Sequence, residues 1–319
     1  PELKTITIGG AATGIGIEST SFKYGLVHES IIEYEILLPD GSVVQASPSK
    51  NKDLFYAFPN SYGTLGYVLK IKAKIIPVKP FVKITHTRYT NAQSYISDLK
   101  KLCHEKKKEK KILGIDGSIF KDQEMYITLA EETDHIPKKS RYTYMKIYYK
   151  SIQEKQEDYL SIKDYIWRWD TDWFWCSKHF GVQNKLLRFI ATPSLLNSKT
   201  YWKIRAWNGK YKLAEKISKI TSNKQQESVV QDIEVPIERA AEFIEFFHKE
   251  IGIKPVWVCP IQPISNKFML YRMDPKKVYV NFGFWDLVPT IYRDGHYNRM
   301  IENKVEELKG KKSLYSASY

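Results

Sequence analysis

Cysteine is scarce in this chain, with three in 319 residues. Cys103, Cys176 and Cys259 stand far apart and no Cys-x-x-Cys occurs. A zinc ribbon and a secreted disulfide framework are thereby excluded, and a reducing compartment fits best. Also missing are a signal peptide and any apolar run long enough to cross a bilayer, which points to a cytoplasmic protein with at most peripheral membrane contact. Catalytic signatures are absent too: there is no Gly-x-Ser-x-Gly elbow, no His-Glu-x-x-His and no EF-hand loop. The seven histidines are scattered, with no helical pair at metal-ligand spacing, so no metal site is expected. An enzyme built from this sequence needs a cofactor to carry the hard chemistry.

Acidic residues are the other shortage. Thirty-six Asp and Glu face 50 Lys and Arg, a net charge of +14. Nucleic acid, an anionic membrane or substrate, and a generally basic proteome all accommodate that excess. Its only dense run, Lys106 to Lys111, closes a helical pattern, where cations suit the C-terminal dipole. Nucleic acid is not expected as a partner.

What is present begins at Thr7. Five glycines fall between Gly9 and Gly25, interleaved with Thr13, Ile17, Glu18, Ser19 and Tyr24. Gly9, Gly10, Gly14, Gly16 and Gly25 suit a loop whose backbone approaches a phosphate or ring. No Gly-Lys-Ser/Thr follows, so this is not a P-loop. Ser19 stands where a dinucleotide fingerprint needs its third glycine, so that match is imperfect.

The segment Ile31–Leu38, the turn Pro39-Asp40-Gly41-Ser42 and Val43–Ala46 read as a hairpin. Asn51–Ala57 reads as a short helix. A second glycine-hydroxyl turn, Gly63-Thr64-Leu65-Gly66, leads into a strand with Leu69, Ile71, Ala73 and Ile75 on one face. Pro77 and Pro80 mark a boundary, so a first domain is expected over residues 1–80. Beyond it come an amphipathic helix over 91–111, a hairpin around Lys121–Glu124 and an aromatic stretch over 142–225. Trp167, Trp169, Trp173 and Trp175 lie in that stretch and suit core packing, an apolar substrate or a membrane surface. After it, Val229–Val235 is strand-like and Pro236 opens a second amphipathic helix. Strands are expected at Val256–Cys259, Phe268–Tyr271 and Val278–Phe282, and a last helix ends before Gly310. Strand-helix-strand units on both sides of the aromatic stretch imply a sheet of two similar halves. The fold class is α+β with an antiparallel sheet and flanking helices.

The glycine run with its flanks, Thr7 to Gly25, closely resembles the Δ24-sterol reductases, within the vanillyl-alcohol-oxidase group of PCMH-type FAD proteins. The likeness continues through Asp40-Gly41-Ser42, Asp53–Ala57, Gly63–Gly66 and Ile75–Pro77, and returns at Val229–Asp232 and Trp257–Pro260. It implies the second FAD-binding subdomain over residues 1–80, a cap or substrate domain over 81–285, and a return toward the FAD domain over 286–319. It also implies that the run from Thr7 to Gly25 and the turn Gly63-Thr64-x-Gly66 bind non-covalent FAD. Further implications are a hydride transfer at a carbon of a lipid-like or other small-molecule substrate and an NAD(P)H or other electron partner. Trp257, Gln262, Tyr271 and Tyr279 lie on or beside cap strands and are substrate candidates. A sugar or alditol oxidase and a non-catalytic FAD-binding module are the alternatives. The beginning at Pro1 and the end at Tyr319 read as cuts through a longer protein.

Overall fold

The structure is a computed structural model and describes residues 2–211 and 225–319. Two antiparallel sheets organise it. The smaller contains β1 (Ile31–Leu37), β2 (Val43–Ala46) and β3 (Tyr67–Ala73), in the order β2-β1-β3. Gly41, at φ +84°, makes the β1–β2 turn, and Asp40 accepts the Ser42 N–H at 2.9 Å. Tyr34, Ile36 and Ala46 bury one face against Phe55 and Phe58, next to the short helix Lys52–Ala57.

β3 departs from simple alternation. A register shift between Glu35 and Ile36 moves its partners from Lys70 to Val68. Val68 therefore turns partly inward, while Leu69, expected inside, is half exposed, and Ile75 lies beyond the strand in solvent. A bulge of this kind inverts every side chain on one side of it.

The larger sheet holds β4 (Phe81–Tyr89), β5 (Ile112–Lys121), β6 (Glu124–Thr133), β7 (Glu157–Ser161), β8 (Gln225–Pro236), β9 (Val256–Ile261), β10 (Tyr279–Thr290) and β11 (Lys311–Lys312). Its order is β11-β8-β10-β9-β5-β6-β4-β7. The centre is two copies of one plan, each a strand, a helix and two strands, abutting at β9 and β5. Helices Ala92–Lys106, Ala240–Glu250 and His296–Glu307 supply apolar side chains to one core with one face of this sheet, with Ile115, Ile127, Ile233, Val258 and Phe282. Both repeated helices carry the apolar stripe that the sequence predicts. The first ends at Lys106, where the lysine run begins, so most of that run lies beyond the helix.

Several expectations are corrected here. The division at residue 285 cuts β10, whose side chains share one core with Ile301, Val305 and Leu308 of the last helix. Residues 286–319 thus chiefly complete the larger sheet, through that helix and the β11–β8 pairing. Phe268–Tyr271 is not a strand: Met269–Tyr271 forms a 3-10 turn. Of the aromatic stretch, residues 212–224 lie outside the described residues, as does Pro1. The rest adds β7 to the sheet edge and buries Trp169, Phe174 and Trp175 against Trp257 and Trp285, a second core.

Candidate functional site

The glycine run is not one loop. Ile8–Thr13 folds as a short helix, because Thr7 Oγ1 accepts the Gly10 N–H at 3.0 Å and so caps it. At the far end of that helix, Thr13 accepts the Tyr62 N–H at 3.0 Å, and Gly14 lies under the Tyr62 ring. A Cβ at Gly9 would meet Val68 at 3.1 Å. The run from Thr7 to Gly14 and the turn from Asn60 to Gly66 are therefore brought together. Between them lie unpartnered polar groups. The Ser61 hydroxyl and the Asn60 carbonyl oxygen are buried without a hydrogen-bond partner. At Gly10 and Gly63 an added Cβ would meet only Thr7 and the Tyr67 ring, so a ligand has room there. Thr64 donates to Ser61 O at 2.7 Å and fixes the turn.

The other glycines answer to the fold itself. A Cβ at Gly16 would fall 2.6 Å from Val27, and one at Gly66 (φ +129°) 2.4 Å from Leu37 O. Gly25, at φ +74°, closes on the Glu29 carboxylate. Ser19 turns away from the paired turns. Its hydroxyl donates to Glu2 at 2.7 Å and lies 3.2 Å from the Tyr165 hydroxyl, beside the buried Arg168–Asp116 ion pair. Glu18 faces the same cluster, where burial and the Glu2 charge push it up to about 7. Lys23 Nζ lies 5.4 Å from the centre of the Tyr24 ring and donates to the carbonyls of Glu109 and Ile112, away from the turns. Ile17 joins Leu26, Ile261, Tyr271 and Tyr279 in an apolar cluster between the run and the larger sheet.

The face of the larger sheet opposite its helices carries a group that residue patterns did not single out. Asp232 and Glu234, two apart on β8, point to one side, as a period of two requires. Asp232 accepts from Asn281 Nδ2 at 3.0 Å and from the Tyr315 hydroxyl at 2.8 Å, which in turn accepts from Trp285 Nε1 at 2.7 Å. Glu234 accepts from the Tyr271 hydroxyl and, at 3.1 Å, from Ser313. Gly283 makes the space, since a Cβ there would lie 2.4 Å from Asp232 Oδ1. Burial pushes Asp232 up to about 6 and Glu234 up to about 8, the Asp232 charge adding to the second shift. The charges of both carboxylates reach Tyr62, so this group borders the paired turns. Glu234 is fully buried and Asp232 partly exposed, so Asp232 is the accessible member. The signal for it was Asp232-x-Glu234 on a strand, two carboxyls on one face.

Of the four substrate candidates, Tyr271 belongs to this group and Tyr279 packs beside it, its hydroxyl accepting the Asp274 N–H at 3.2 Å. Trp257 is elsewhere, buried against Phe174 with its Nε1 toward Asp116. Gln262 is a bracket: its N–H donates to Ser21 O at 3.0 Å and its side chain to Pro275 O. Among the described residues no cluster of His, Cys, Asp and Glu fits a metal ion.

No protein-family model matches the chain. Over its whole length it is similar to the Δ24-sterol reductase of Rattus norvegicus, 29% identical over 336 residues that cover 62% of that protein. The chain thus spans less than two thirds of such relatives. Among solved structures, a xylooligosaccharide oxidase from Myceliophthora thermophila superposes at TM-score 0.53 and 12% identity, over 99% of this chain and 63% of that one. A glucooligosaccharide oxidase from Acremonium strictum, described with a novel flavinylation, gives TM-score 0.53 and 13% identity over 100% of this chain and 64% of its own. The fold is accordingly the α+β fold of PCMH-type FAD-binding proteins.

Proposed function

We propose that this chain is part of an FAD-dependent oxidoreductase acting at a carbon centre of an apolar, lipid-like substrate. The whole-length similarity to sterol reductases supports that substrate class over the sugars of the oxidases, which share only the fold. The paired turns fit the cofactor in chemistry. The backbone N–H groups of Gly9 and Gly63 and the hydroxyls of Thr7 and Ser61, none of which donates elsewhere among the described residues, suit a diphosphate without a lysine, while Gly10, Thr13 and Thr64 use their donors to shape the two turns. Neither turn contains a histidine, in keeping with non-covalent binding. FAD, when bound, supplies hydride chemistry, with NAD(P)H as the proposed electron partner.

The observation that carries this reading is the Asp232–Glu234 pair beside those turns. Two carboxyls whose environments push them apart divide acid and base roles between them. Asp232, at about 6, keeps a protonated fraction at neutral pH and, being partly exposed, is placed to give that proton to a substrate carbon as the substrate is reduced, returning to the carboxylate. Glu234 keeps its proton, and its own charge state is tied to that of Asp232 through their mutual repulsion. Tyr315 and Asn281 hold the Asp232 carboxylate in place by donating to it.

Full-length protein supplied with FAD is expected to show flavin absorbance that NADPH bleaches and an unsaturated sterol restores. Asp232→Asn is expected to keep the flavin and slow that restoration by about 10²- to 10⁴-fold, the usual scale for removing a positioned acid or base. Absence of bound flavin, or a wild-type rate in the variant, would overturn the reading. Restoration by oligosaccharides instead of sterols would move the substrate class to sugars.

A further inference from the structure

Helix Lys185–Leu195, kinked at Thr192 (φ +58°) just before Pro193, and helix Ser198–Tyr211 expose much of their apolar surface. Leu186 and Phe189 are 67% and 64% exposed, and Ile190, Leu195, Trp202 and Ile204 are also exposed. The inward contacts are mostly polar staples to one short turn. Arg188 is buried and pairs with Asp172 through two bonds, at 2.7 and 2.8 Å. Ser198 donates to Asp170 at 2.5 Å, and the Tyr201 hydroxyl to Thr171 O at 2.9 Å. Fixing the helices from inside by hydrogen bonds leaves the apolar surface to something outside.

Charge says what that is. From Trp173 to Tyr211 the sequence contains no Asp or Glu. Lys185, Lys199, Lys203 and Arg205 are all exposed among the apolar groups. A second copy of the chain would set two such basic surfaces against each other, at a Coulombic cost. An anionic bilayer meets both features, since apolar side chains enter the acyl boundary while Lys and Arg stay with the headgroups. Among the described residues no helix is long and apolar enough to cross a membrane.

We propose that helices 185–195 and 198–211 form a monotopic docking surface for anionic lipid bilayers, independently of the flavin site. The test is co-sedimentation of the chain with phosphatidylcholine vesicles, with and without phosphatidylserine. Binding is expected to need the anionic lipid and to fall as salt rises. Phe189→Asp with Ile190→Asp should weaken it at least tenfold, because two anchors are lost and two anionic groups are added. Lys199→Glu, Lys203→Glu and Arg205→Glu together should weaken it more, at about fivefold per cation lost. The altered side chains are all exposed, and unchanged thermal unfolding checks that the variants fold. Vesicle binding equal to the wild type in both variants would overturn the proposal. So would no binding by the wild type, or a dimer by light scattering that the Phe189 and Ile190 changes dissolve.

Discussion

The two faces of the larger sheet use the same strands for opposite ends. Toward the helices, Val229, Ile233 and Val235 of β8 pack with Phe243, Phe282 and Ile301 in one apolar core. The polar groups on that side bond chiefly to one another: Asn298 donates to the Glu227 carboxylate and to Ser228 O and accepts from Gln231, whose own side-chain oxygen is buried without a partner. On the other side the same strand presents Asp232 and Glu234, both pushed upward by burial, and the neighbouring Asn281 keeps an unpartnered buried carbonyl oxygen. A polar group that has found its partners contributes to the fold. One that is buried without them has been kept against a cost of about 1–3 kcal/mol. Each face keeps one such atom, Gln231 Oε1 on the helix side and Asn281 Oδ1 on the other, so what separates the functional face is its pair of carboxyls raised by burial.

The contrast is broken most severely from the helix side. Phe282 is 1% exposed and packs against Phe243 with ring centroids 4.9 Å apart. Phe282→Ala is expected to cost about 3–5 kcal/mol in urea unfolding, the usual price of an aromatic cavity in a core. A loss below about 1 kcal/mol would show that the helix face is not the load carrier described here.

On the opposite face the expected change has the other sign. Glu234, with a folded value of about 8 against an ordinary 4.5, is protonated in the folded protein when an unfolded chain would ionise. Its contribution to stability is fully present below pH 4.5 and is lost as pH rises through 8. Glu234→Gln removes the ionisation and keeps the shape. The variant should match the wild type near pH 5 and exceed it by about 3 kcal/mol at pH 9, allowing for relaxation around the charge. Parallel stability curves between pH 5 and pH 9 would show that Glu234 is not held protonated.

The sequence made one of these faces readable and left the other obscure. Helix 240–250 carries its apolar stripe openly, and the two similar halves follow from repeated strand-helix-strand units. In contrast, Asp232-x-Glu234 is an ordinary strand pattern until the partner strand is known. It is Gly283, Asn281, Tyr271 and Tyr315, 37 to 83 residues away from their partners, that convert two surface-type carboxyls into one buried and one half-buried member of a hydrogen-bonded group. The glycine run reads in the sequence as a single loop, whereas the structure divides it into a short capped helix and separate turns. Gly16, Gly25 and Gly66 answer to Val27, Glu29 and Leu37, which are contacts that spacing alone does not reveal. Leu69 departs from the expected face for a local reason, because a bulge in the pairing of its own strand with β1 has no sequence mark of its own.

The smallest expected effect tests whether satisfied polar groups on the helix face are structural. Asn298 is 2% exposed, and its side-chain nitrogen lies 2.7 Å from Glu227 Oε1 and 3.0 Å from Ser228 O. Truncation to alanine leaves the Glu227 carboxylate with the backbone N–H groups of residues 297 and 298, at 3.1 and 2.9 Å, as its donors, and strips Gln231 of its acceptor. The backbone donors cushion the charge, so the loss is set mainly by Gln231 and the vacated volume. Asn298→Ala should therefore cost about 2 kcal/mol in urea unfolding, less than Phe282→Ala, and leave sterol-dependent flavin reoxidation unchanged in the full-length protein. If Asn298→Ala slowed reoxidation as strongly as Asp232→Asn does, the division of labour between the two faces would fail, because a change behind the sheet would be reaching the carboxylate pair in front of it.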